Sequence, residues 1–326
     1  MRKNRIFLFI FCLLVLEGTS LAGNNKEELT VLTGQSLKLS GFTQVRYTQW
    51  QEGIDGFRMR RARVGLKGEI LKNINYRLQI DALKSPVLLD AQIEIEFIPH
   101  ARLRFGQFKV PFSLENLTSS SALDTINRSL TVEKLCPGRD IGANGRDIGV
   151  AVNGQFSRIE CFLGVFNGSG INKTDFNDQK DIAGRFVFYP GSSLTLGLSH
   201  YNGRYSSHPG ASVVERNRTG IDMFFIKDQL SVKGEYIFAR DAQIESYAWY
   251  LQGGCYIMPE KLQAIVKYDS FDKNLDIQGD RISVMTLGLN WFFSEKTKFQ
   301  INYEYHREEL NEVSKHVILA QLQAGF

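Results

Sequence analysis

Residues 299–306 read Phe-Gln-Ile-Asn-Tyr-Glu-Tyr-His, and this alternation of apolar and polar residues decides the fold class. Side chains point to opposite faces of a strand with a period of two, so the apolar set would share one face and the polar set the other. Residues 74–81 and 90–97 repeat the pattern. The carboxyl end repeats it too, with alternate apolar residues from Ile318 to the terminal Phe326. Segments of about ten residues with this alternation are typical of outer-membrane strands.

Sixteen such segments can be placed along the chain. They lie near 35–50, 57–70, 73–83, 87–97, 101–110, 144–156, 159–167, 182–189, 193–203, 218–227, 230–239, 245–257, 261–271, 280–293, 297–307 and 315–326. The connections after even-numbered strands are short, whereas several after odd-numbered strands are long, notably 111–143, 168–181 and 204–217. A barrel with short periplasmic turns and long external loops has this rhythm, and a Greek-key sandwich has no reason to keep it. The sequence therefore predicts an all-β fold, a 16-stranded antiparallel transmembrane β-barrel.

Composition narrows the class of protein further. The 326 residues carry a formal net charge of +4 with no Lys/Arg block, so no nucleic-acid partner is expected. Mean hydropathy is −0.20, and apolar runs long enough for helical spans, about 20 residues each, are missing from the sequence. The 23 Phe, 12 Tyr and 3 Trp suit strands and water–lipid interfaces.

The first 22 residues have the features of a secretory signal peptide. Arg2, Lys3 and Arg5 precede an apolar run over 6–16, and Ser-Leu-Ala at 20–22 resembles a cleavage site. We therefore expect two parts, a cleaved signal at 1–22 and a barrel at 23–326. The remaining cysteines are widely spaced and odd in number, which argues against a disulfide framework or a zinc site: Cys136, Cys161 and Cys255.

If the apolar residues of each strand face lipid, the alternate residues face the lumen, and many of these are charged. The basic ones are Lys38, Arg46, Arg61, Arg63, Lys67, Arg77, Arg102, Arg104, Arg185, Lys233 and Lys267. The acidic ones are Glu69, Asp81, Asp90, Glu94, Glu96, Asp147, Glu235, Asp269 and Glu304. A barrel of sixteen strands is wide enough to enclose water, so a polar interior is expected. Rows of Lys and Arg in such a channel favour anions.

The segment 111–143 is expected to be a structureless loop of about 33 residues, and a loop of that length in a compact protein is usually functional. In a porin it would be the third external loop, folded into the lumen as a constriction. Its charged residues are mixed in sign: Glu115, Asp124, Arg128, Glu133, Lys134, Arg139 and Asp140.

Specific motifs in and before this segment resemble the phosphate-selective porin O and P family. They are GQFKVPFSLE at 106–115, LTSS at 117–120, LD at 123–124, NRSL at 127–130, PGRDIG at 137–142 and FRMRRARVG at 57–65. The resemblance is strongest over about 40–155. It implies a homotrimer of sixteen-stranded barrels in the outer membrane of a Gram-negative bacterium, in contact with outer-membrane lipid, with the long loop narrowing each pore. It also implies arginines along the channel that pass phosphate or related anions. Arg46, the cluster from Arg58 to Arg63, Lys109, Arg128 and Arg139 match family positions.

These arguments predict an anion pathway and two residues that anchor the loop. The pathway residues are Arg46, Arg60, Arg61, Arg63, Arg77, Arg102, Arg104, Lys109, Arg128 and Arg185, and the anchors are Arg139 and Asp140. Two alternatives stay open. The arginines at 60–63 could be wall residues paired with the acids of the fourth strand, and Lys109 could lie at the rim instead of the narrowest point.

The predicted function is passive diffusion of small hydrophilic solutes with a preference for anions such as phosphate, without enzyme activity, cofactor or metal. The alternatives are a non-selective porin, a membrane-barrel hydrolase and a surface adhesin. The five histidines lie outside any G-x-S-x-G or H-E-x-x-H motif. Residues 168–174, GSGINKT, resemble a phosphate-binding P-loop, but Asn172 replaces the required glycine and no helical pattern follows. We interpret this stretch as an external loop.

Overall fold

The computed structural model describes residues 29–30, 36–310 and 312–326. The predicted signal peptide lies outside these residues. The strands are β1 Leu29–Thr30, β2 Ser36–Trp50, β3 Gly56–Leu71, β4 Ile74–Asp81, β5 Leu88–Ile98, β6 Ala101–Lys109, β7 Arg146–Phe156, β8 Ile159–Phe166, β9 Asp181–Gly191, β10 Leu194–Tyr205, β11 Val214–Lys227, β12 Leu230–Asp241, β13 Ile244–Met258, β14 Leu262–Asp272, β15 Ile282–Phe292, β16 Lys298–Glu308 and β17 Val313–Gly325.

The sixteen long strands form a closed barrel. Each strand from β2 to β17 pairs antiparallel with the next, and β17 pairs with β2, from Val317 opposite Trp50 to Gly325 opposite Phe42. The short β1 pairs with the start of β2. Closure gives the strand backbones partners all round the barrel, which a lipid environment requires because it offers none.

Polar side chains face the interior and apolar side chains face outward. On β15 and β16, Asn290 and Asn302 are fully buried, whereas Leu287 and Ile301 are 46% and 42% exposed. The same alternation of buried and exposed residues follows most strands. An outward apolar band around a polar interior is the arrangement expected of a barrel in lipid.

The predicted sixteen-stranded antiparallel barrel is confirmed. Most strand ends lie within two residues of their predicted positions, but β11 begins at Val214 instead of 218. The cause is that Arg216, Asn217 and Arg218 are all polar, so no hydrophobic alternation marks the strand there. Backbone pairing with β10 continues through them, up to Val214 opposite Tyr205.

The expectation that 111–143 is structureless is wrong, because the segment contains two short helices, α1 Leu114–Leu117 and α2 Leu130–Leu135. Ser113 and Ser129 cap their amino ends, accepting hydrogen bonds from the backbone N–H groups of Asn116 and Val132 at 3.1 and 3.3 Å. Serine is a favoured cap because its hydroxyl accepts from an otherwise unpaired N–H. In the part of the chain that the structure describes, no helix combines the length and apolar character needed to cross a membrane.

Candidate functional site

The middle of the 111–143 segment lies against inward-facing side chains of β12 to β17. Asp124 accepts hydrogen bonds from Lys233 Nζ at 2.6 Å and Gln252 Nε2 at 2.8 Å. The backbone N–H of Ile126 donates to Asn302 Oδ1 at 2.7 Å, and Lys298 Nζ donates to the carbonyl of Leu123 at 2.6 Å. These contacts fasten the segment to one side of the barrel interior.

A ladder of buried amide side chains forms the surface beneath this segment. Gln44 donates to Gln323 at 2.7 Å. Gln300 accepts from Gln321 at 3.2 Å and donates to Asn290 Oδ1 at 3.0 Å, and Asn290 donates to Gln263 at 2.9 Å. Several amides also donate to the segment's carbonyl groups, including Asn290 to Asp124 at 2.8 Å. Buried amides that satisfy one another in this way make a well-defined polar surface.

Acidic residues of the segment bind cations and hydrogen-bond donors, some on the barrel wall and some within the segment. Asp124 pairs with Lys233, Asp140 with Arg216 and Arg218, and Glu133 with Arg139 at 2.9 Å. The carboxylate of Glu115 accepts from the backbone N–H and hydroxyl of Ser129 at 3.0 and 2.9 Å. Burial raises the pKa of Glu115, but Lys267 and Arg128 outweigh it, so the pKa lies below its ordinary value and the group stays ionised. The acids therefore act as attachments of the segment.

Two cations organise the segment, Lys109 at the end of β6 and Arg128 within the segment. Lys109 Nζ donates to the carbonyls of Asn116, Leu117 and Thr118 at 2.7, 3.0 and 2.9 Å, which caps the carboxyl end of α1. Arg128 donates to Thr118 O at 2.8 Å and also to Glu115 O. Burial and the neighbouring Arg139 lower the pKa of Arg128 to about 10, so it remains a cation at neutral pH.

Two cavities lie beside the segment. The outer one is lined by β3, the segment and β14 to β16, and the inner one by β3 to β7 and the segment. The outer cavity, about 380 Å³, lies toward the long loops and includes Lys84, Arg139 and Asn144 in its lining. The inner cavity, about 330 Å³, lies toward the short turns and includes Lys67 and Asn75. Arg63 and Ser120 line both, so the two cavities meet at this pair.

Both cavities are strongly basic. The outer one has seven basic and three acidic residues in its lining: Arg60, Arg61, Arg63, Lys84, Arg128, Arg139 and Lys267 against Glu133, Asp269 and Glu304. The inner one has six basic and two acidic: Arg63, Lys67, Arg77, Arg104, Lys109 and Arg146 against Asp90 and Glu94. Among the described residues, no group of His, Cys, Asp and Glu is arranged to hold a metal ion. The excess of cations gives this passage a field that attracts anions.

A β-bulge in β3 brings two consecutive arginines into the lumen. Gln44 pairs with Arg61 and Val45 with Met59, so Arg60 is the extra residue. Arg60 donates to Gln321 and Asn127, each at 3.1 Å, while Arg61 donates to Gln44 at 2.7 Å. Bulges redirect side chains in this way. Without the bulge, strict alternation would direct one of the pair toward lipid.

Of the other predicted pathway residues, some line the cavities and some lie elsewhere in the barrel. Arg77 and Arg104 line the inner cavity beside Asp90 and Glu94, at 3.2 and 3.4 Å. Arg46 is buried and donates to Asn127 at 3.1 Å. Arg185 is held in a buried pair with Asp222 at 2.9 Å, and Arg102 lies half-exposed, 3.8 Å from Glu96. The arginines of 60–63 do not pair with the acids of β5: Arg63 binds Asp81, at the end of β4, at 3.0 Å.

Sequence reasoning missed Lys84 and Arg146, which both line the cavities. Arg146 binds Asp90 at 2.6 Å and lies at the first position of β7. One signal could have found it, since Gly-Arg-Asp-Ile-Gly occurs at 138–142 and again at 145–149. Arg216, which binds Asp140, was missed because β11 was predicted to begin at 218. Arg218 also binds Asp140; it was the first residue of the predicted strand and was not assigned to the lumen.

Comparison with known protein families and curated proteins gives one match. The family model described as phosphate-selective porin O and P matches residues 40–216 and 208–326. No curated protein matches the chain.

Solved porin structures share the fold at low sequence identity. The anion-selective porin from Comamonas acidovorans is 13% identical, with a TM-score of 0.69 over 90% of this chain and 100% of that one. The outer membrane channel DcaP of Acinetobacter baumannii is 12% identical, with a TM-score of 0.67 over 91% and 99%. The trimer form of OmpT of Vibrio cholerae is 9% identical, with a TM-score of 0.63 over 90% and 99%.

The family match extends beyond the region of the sequence motifs, across almost the whole barrel. It identifies the protein as a channel, which excludes the barrel hydrolase. The chain therefore belongs to the phosphate-selective porin O and P family and is a porin of the outer membrane.

Proposed function

We propose that this porin lets small anions, phosphate among them, diffuse passively through the basic passage that the two cavities form. The observation that carries the proposal is the sorting of charge inside the barrel. Acids of the 111–143 segment bind cations of β11 and β12 or partners within the segment, while both cavities keep a large excess of basic residues. A cationic passage within low-dielectric walls concentrates anions. The Comamonas porin, which shares this fold, is described as anion-selective, and that description agrees with the proposal.

The 111–143 segment is proposed to be the constriction of this passage. Its Ser120 and Arg128 line the outer cavity together with Arg61 and Arg63, and Arg63 donates to the Ser120 hydroxyl at 3.1 Å. The contacts of Asp124, Ile126 and Lys109 hold it in place, so the width of the passage would depend on fixed side chains. The carboxylates bound to Arg63, Arg77 and Arg104 would weaken each anion contact. Weak binding at several successive positions lets a solute leave as well as enter.

Anion selectivity is tested by the reversal potential of single barrels in a KCl gradient. We expect wild type to prefer chloride and Arg61→Gln with Arg77→Gln to lose about half of that preference. These positions suit the test because Arg61 binds the neutral Gln44, and Asp90 keeps Arg146 when Arg77 is removed.

The matched control is Arg204→Gln with Arg240→Gln. Both arginines are exposed, and they pair with Glu215 and Glu245 at 3.3 and 3.9 Å. This variant removes the same charge from outside the two cavities. A cation-selective wild type would refute the anion proposal, and a reversal potential near zero would indicate a non-selective porin. Equal anion-selective potentials in all three proteins would remove Arg61 and Arg77 from the pathway.

We also propose that the signal peptide is cleaved and that the protein is a homotrimer. We propose that residues 1–22 are removed during export, because basic, apolar and small residues follow one another there in the order of a signal peptide. Intact mass of membrane-extracted protein should match a chain that begins at Gly23.

We propose a homotrimer from the family resemblance, supported by the trimer form of the Vibrio porin. Light scattering in detergent at a monomeric mass would contradict it.

A further inference from the structure

A third cavity opens between three external segments, at 84–86, 141–144 and 169–173. We call it the vestibule; its volume is about 320 Å³. Lys84, Pro86, Ile141, Ala143, Ile171 and Lys173 are among the residues that line it. The third segment belongs to the GSGINKT stretch, which the pore mechanism does not otherwise use.

The apolar side of the vestibule is preformed. Ala143 and Ile171 are buried together with Leu89, and Ile141 packs against them. The next residue, Asn172, fixes this wall, since its backbone N–H donates to Gln107 Oε1 at 2.6 Å and its Nδ2 donates to Leu88 O at 2.8 Å. A solute bound here would meet a firm apolar surface.

The polar side of the vestibule is cationic. Lys84 Nζ donates to Asn144 Oδ1 at 2.7 Å, which holds the ammonium group at the cavity. Lys173 is exposed, with its ammonium 5.7 Å from the centre of the Phe176 ring. In the described part of the chain, the residues that line the vestibule include these two lysines and no carboxylate. The charge therefore suits an anion.

The vestibule adjoins the outer cavity of the pore. Lys84 and Asn144 line both the vestibule and the outer cavity, just as Arg63 and Ser120 line both pore cavities. Residues shared in this way show that the three cavities are neighbours in a row from the external loops to the short turns. An anion held by Lys84 would already be at the mouth of the basic passage.

We propose that the vestibule binds organic anions that carry a short apolar chain, such as aliphatic carboxylates, and delivers them to the pore. This inference rests on the anion function proposed above and names a solute class for it. The carboxylate would bind Lys84 and Lys173, while the chain would contact Ile141, Ala143 and Ile171. Inorganic phosphate has no apolar part and would gain nothing from that wall.

The test is block of chloride current through single barrels by acetate, butyrate and hexanoate, each added to either side. Full burial of a methylene strengthens binding by up to about fourfold, and the vestibule is partly open, so we expect about twofold per methylene. The half-blocking concentration should then fall on the order of tenfold from acetate to hexanoate, from one side only. Equal block by the three carboxylates would overturn the proposal.

Two variants separate the apolar and cationic contributions. Ile171→Ala should reduce the dependence on chain length, because it removes apolar contact. Lys173→Gln should raise all three half-blocking concentrations by about threefold while keeping their ratios. Because Lys173 is exposed, this variant remains informative if Ile171→Ala fails to fold. The matched control is Lys180→Gln in the same external loop, where the lysine pairs with Asp175, and it should behave as wild type.

The outcomes distinguish this inference from the proposed function. A chloride-selective channel that shows no chain-length dependence refutes the vestibule and leaves the anion pore standing. A cation-selective channel refutes the anion pore, whatever the carboxylate series shows. Wild-type behaviour of both Ile171→Ala and Lys173→Gln would also refute the vestibule, because the binding would then lie elsewhere.

Discussion

Lys109 shows how one residue can belong to the passage and to its support. Its ammonium lines the inner cavity and also binds three consecutive carbonyls at the end of α1. The last carbonyls of a helix have no partner within it and carry partial negative charge, so a cation there is favourable. From sequence alone, Lys109 could be an eyelet cation or a rim residue. The structure adds a third role, because the lysine fixes the helix where the segment enters the lumen.

We predict that Lys109→Met loosens the 111–143 segment while the barrel stays folded. The methionine leaves the carbonyls of Asn116 and Leu117 without the lysine donor, while the carbonyl of Thr118 keeps Arg128, and an unpaired buried group costs about 1–3 kcal/mol. We expect larger fluctuations of open-channel current and faster cleavage of the segment by chymotrypsin, with the heat-modifiable gel shift unchanged. Lys67→Met is the control, because Lys67 lines the same cavity from β3. Cleavage of the Lys109 variant at the wild-type rate would contradict the proposed anchoring.

At the scale of elements, the barrel could be predicted and the inner segment could not. The strands are marked by the alternation visible in residues 299–306, because lipid and water select opposite faces. The segment instead depends on distant partners, such as Asp124 with Lys233 and Ile126 with Asn302. No local pattern encodes contacts across more than a hundred residues. The helices carry local signals in Ser113 and Ser129, but each is too short for helical periodicity to appear.

The Asp124 attachment predicts how the segment responds to acid. Burial raises the pKa of Asp124, but the charge and hydrogen bond of Lys233 outweigh it, and the pKa lies below its ordinary value. A carboxyl with a lowered pKa stabilises the fastened state above its ordinary pKa, and the stabilisation is lost as pH falls through the lowered value. Current fluctuations should therefore stay low at neutral and mildly acidic pH and increase only in stronger acid.

Asp124→Asn should show those fluctuations already at pH 7, because the amide keeps the shape and loses the charge. Single-channel recordings from pH 7 to pH 3 measure both effects. Glu312→Gln is the matched control, since it removes an acid from the exposed turn before β17. If current fluctuations of the Asp124 variant stayed at the wild-type level at neutral pH, the amide ladder alone would be sufficient to hold the segment.

At the scale of the whole molecule, the interior consists of a surface that holds the 111–143 segment and a basic passage beside it. Strands β12 to β17 present amides and a few cations, which the 111–143 segment covers. The basic passage is lined by β3 to β7 and, in its outer cavity, by β14 to β16 as well. The alternation of residues along each strand predicted that Arg61, Arg63, Arg77 and Arg104 face the lumen. It could not tell the charged residues that hold the segment from those that face the passage. The net charge of +4 concealed this division, because it sums acids that fasten the segment with cations that face the passage.

A passage that selects through its collective field should be sensitive to salt. The Debye length falls from about 10 Å at 0.1 M to about 3 Å at 1 M, so added salt screens cations that face water-filled cavities. We expect the chloride preference, measured from reversal potentials at a fixed tenfold gradient, to fall by about half as mean salt rises across that range. Arg61→Gln with Arg77→Gln should start lower and change less, since less field remains to be screened. A preference that stays constant with salt would instead indicate selection by a tight site that strips water from the ion.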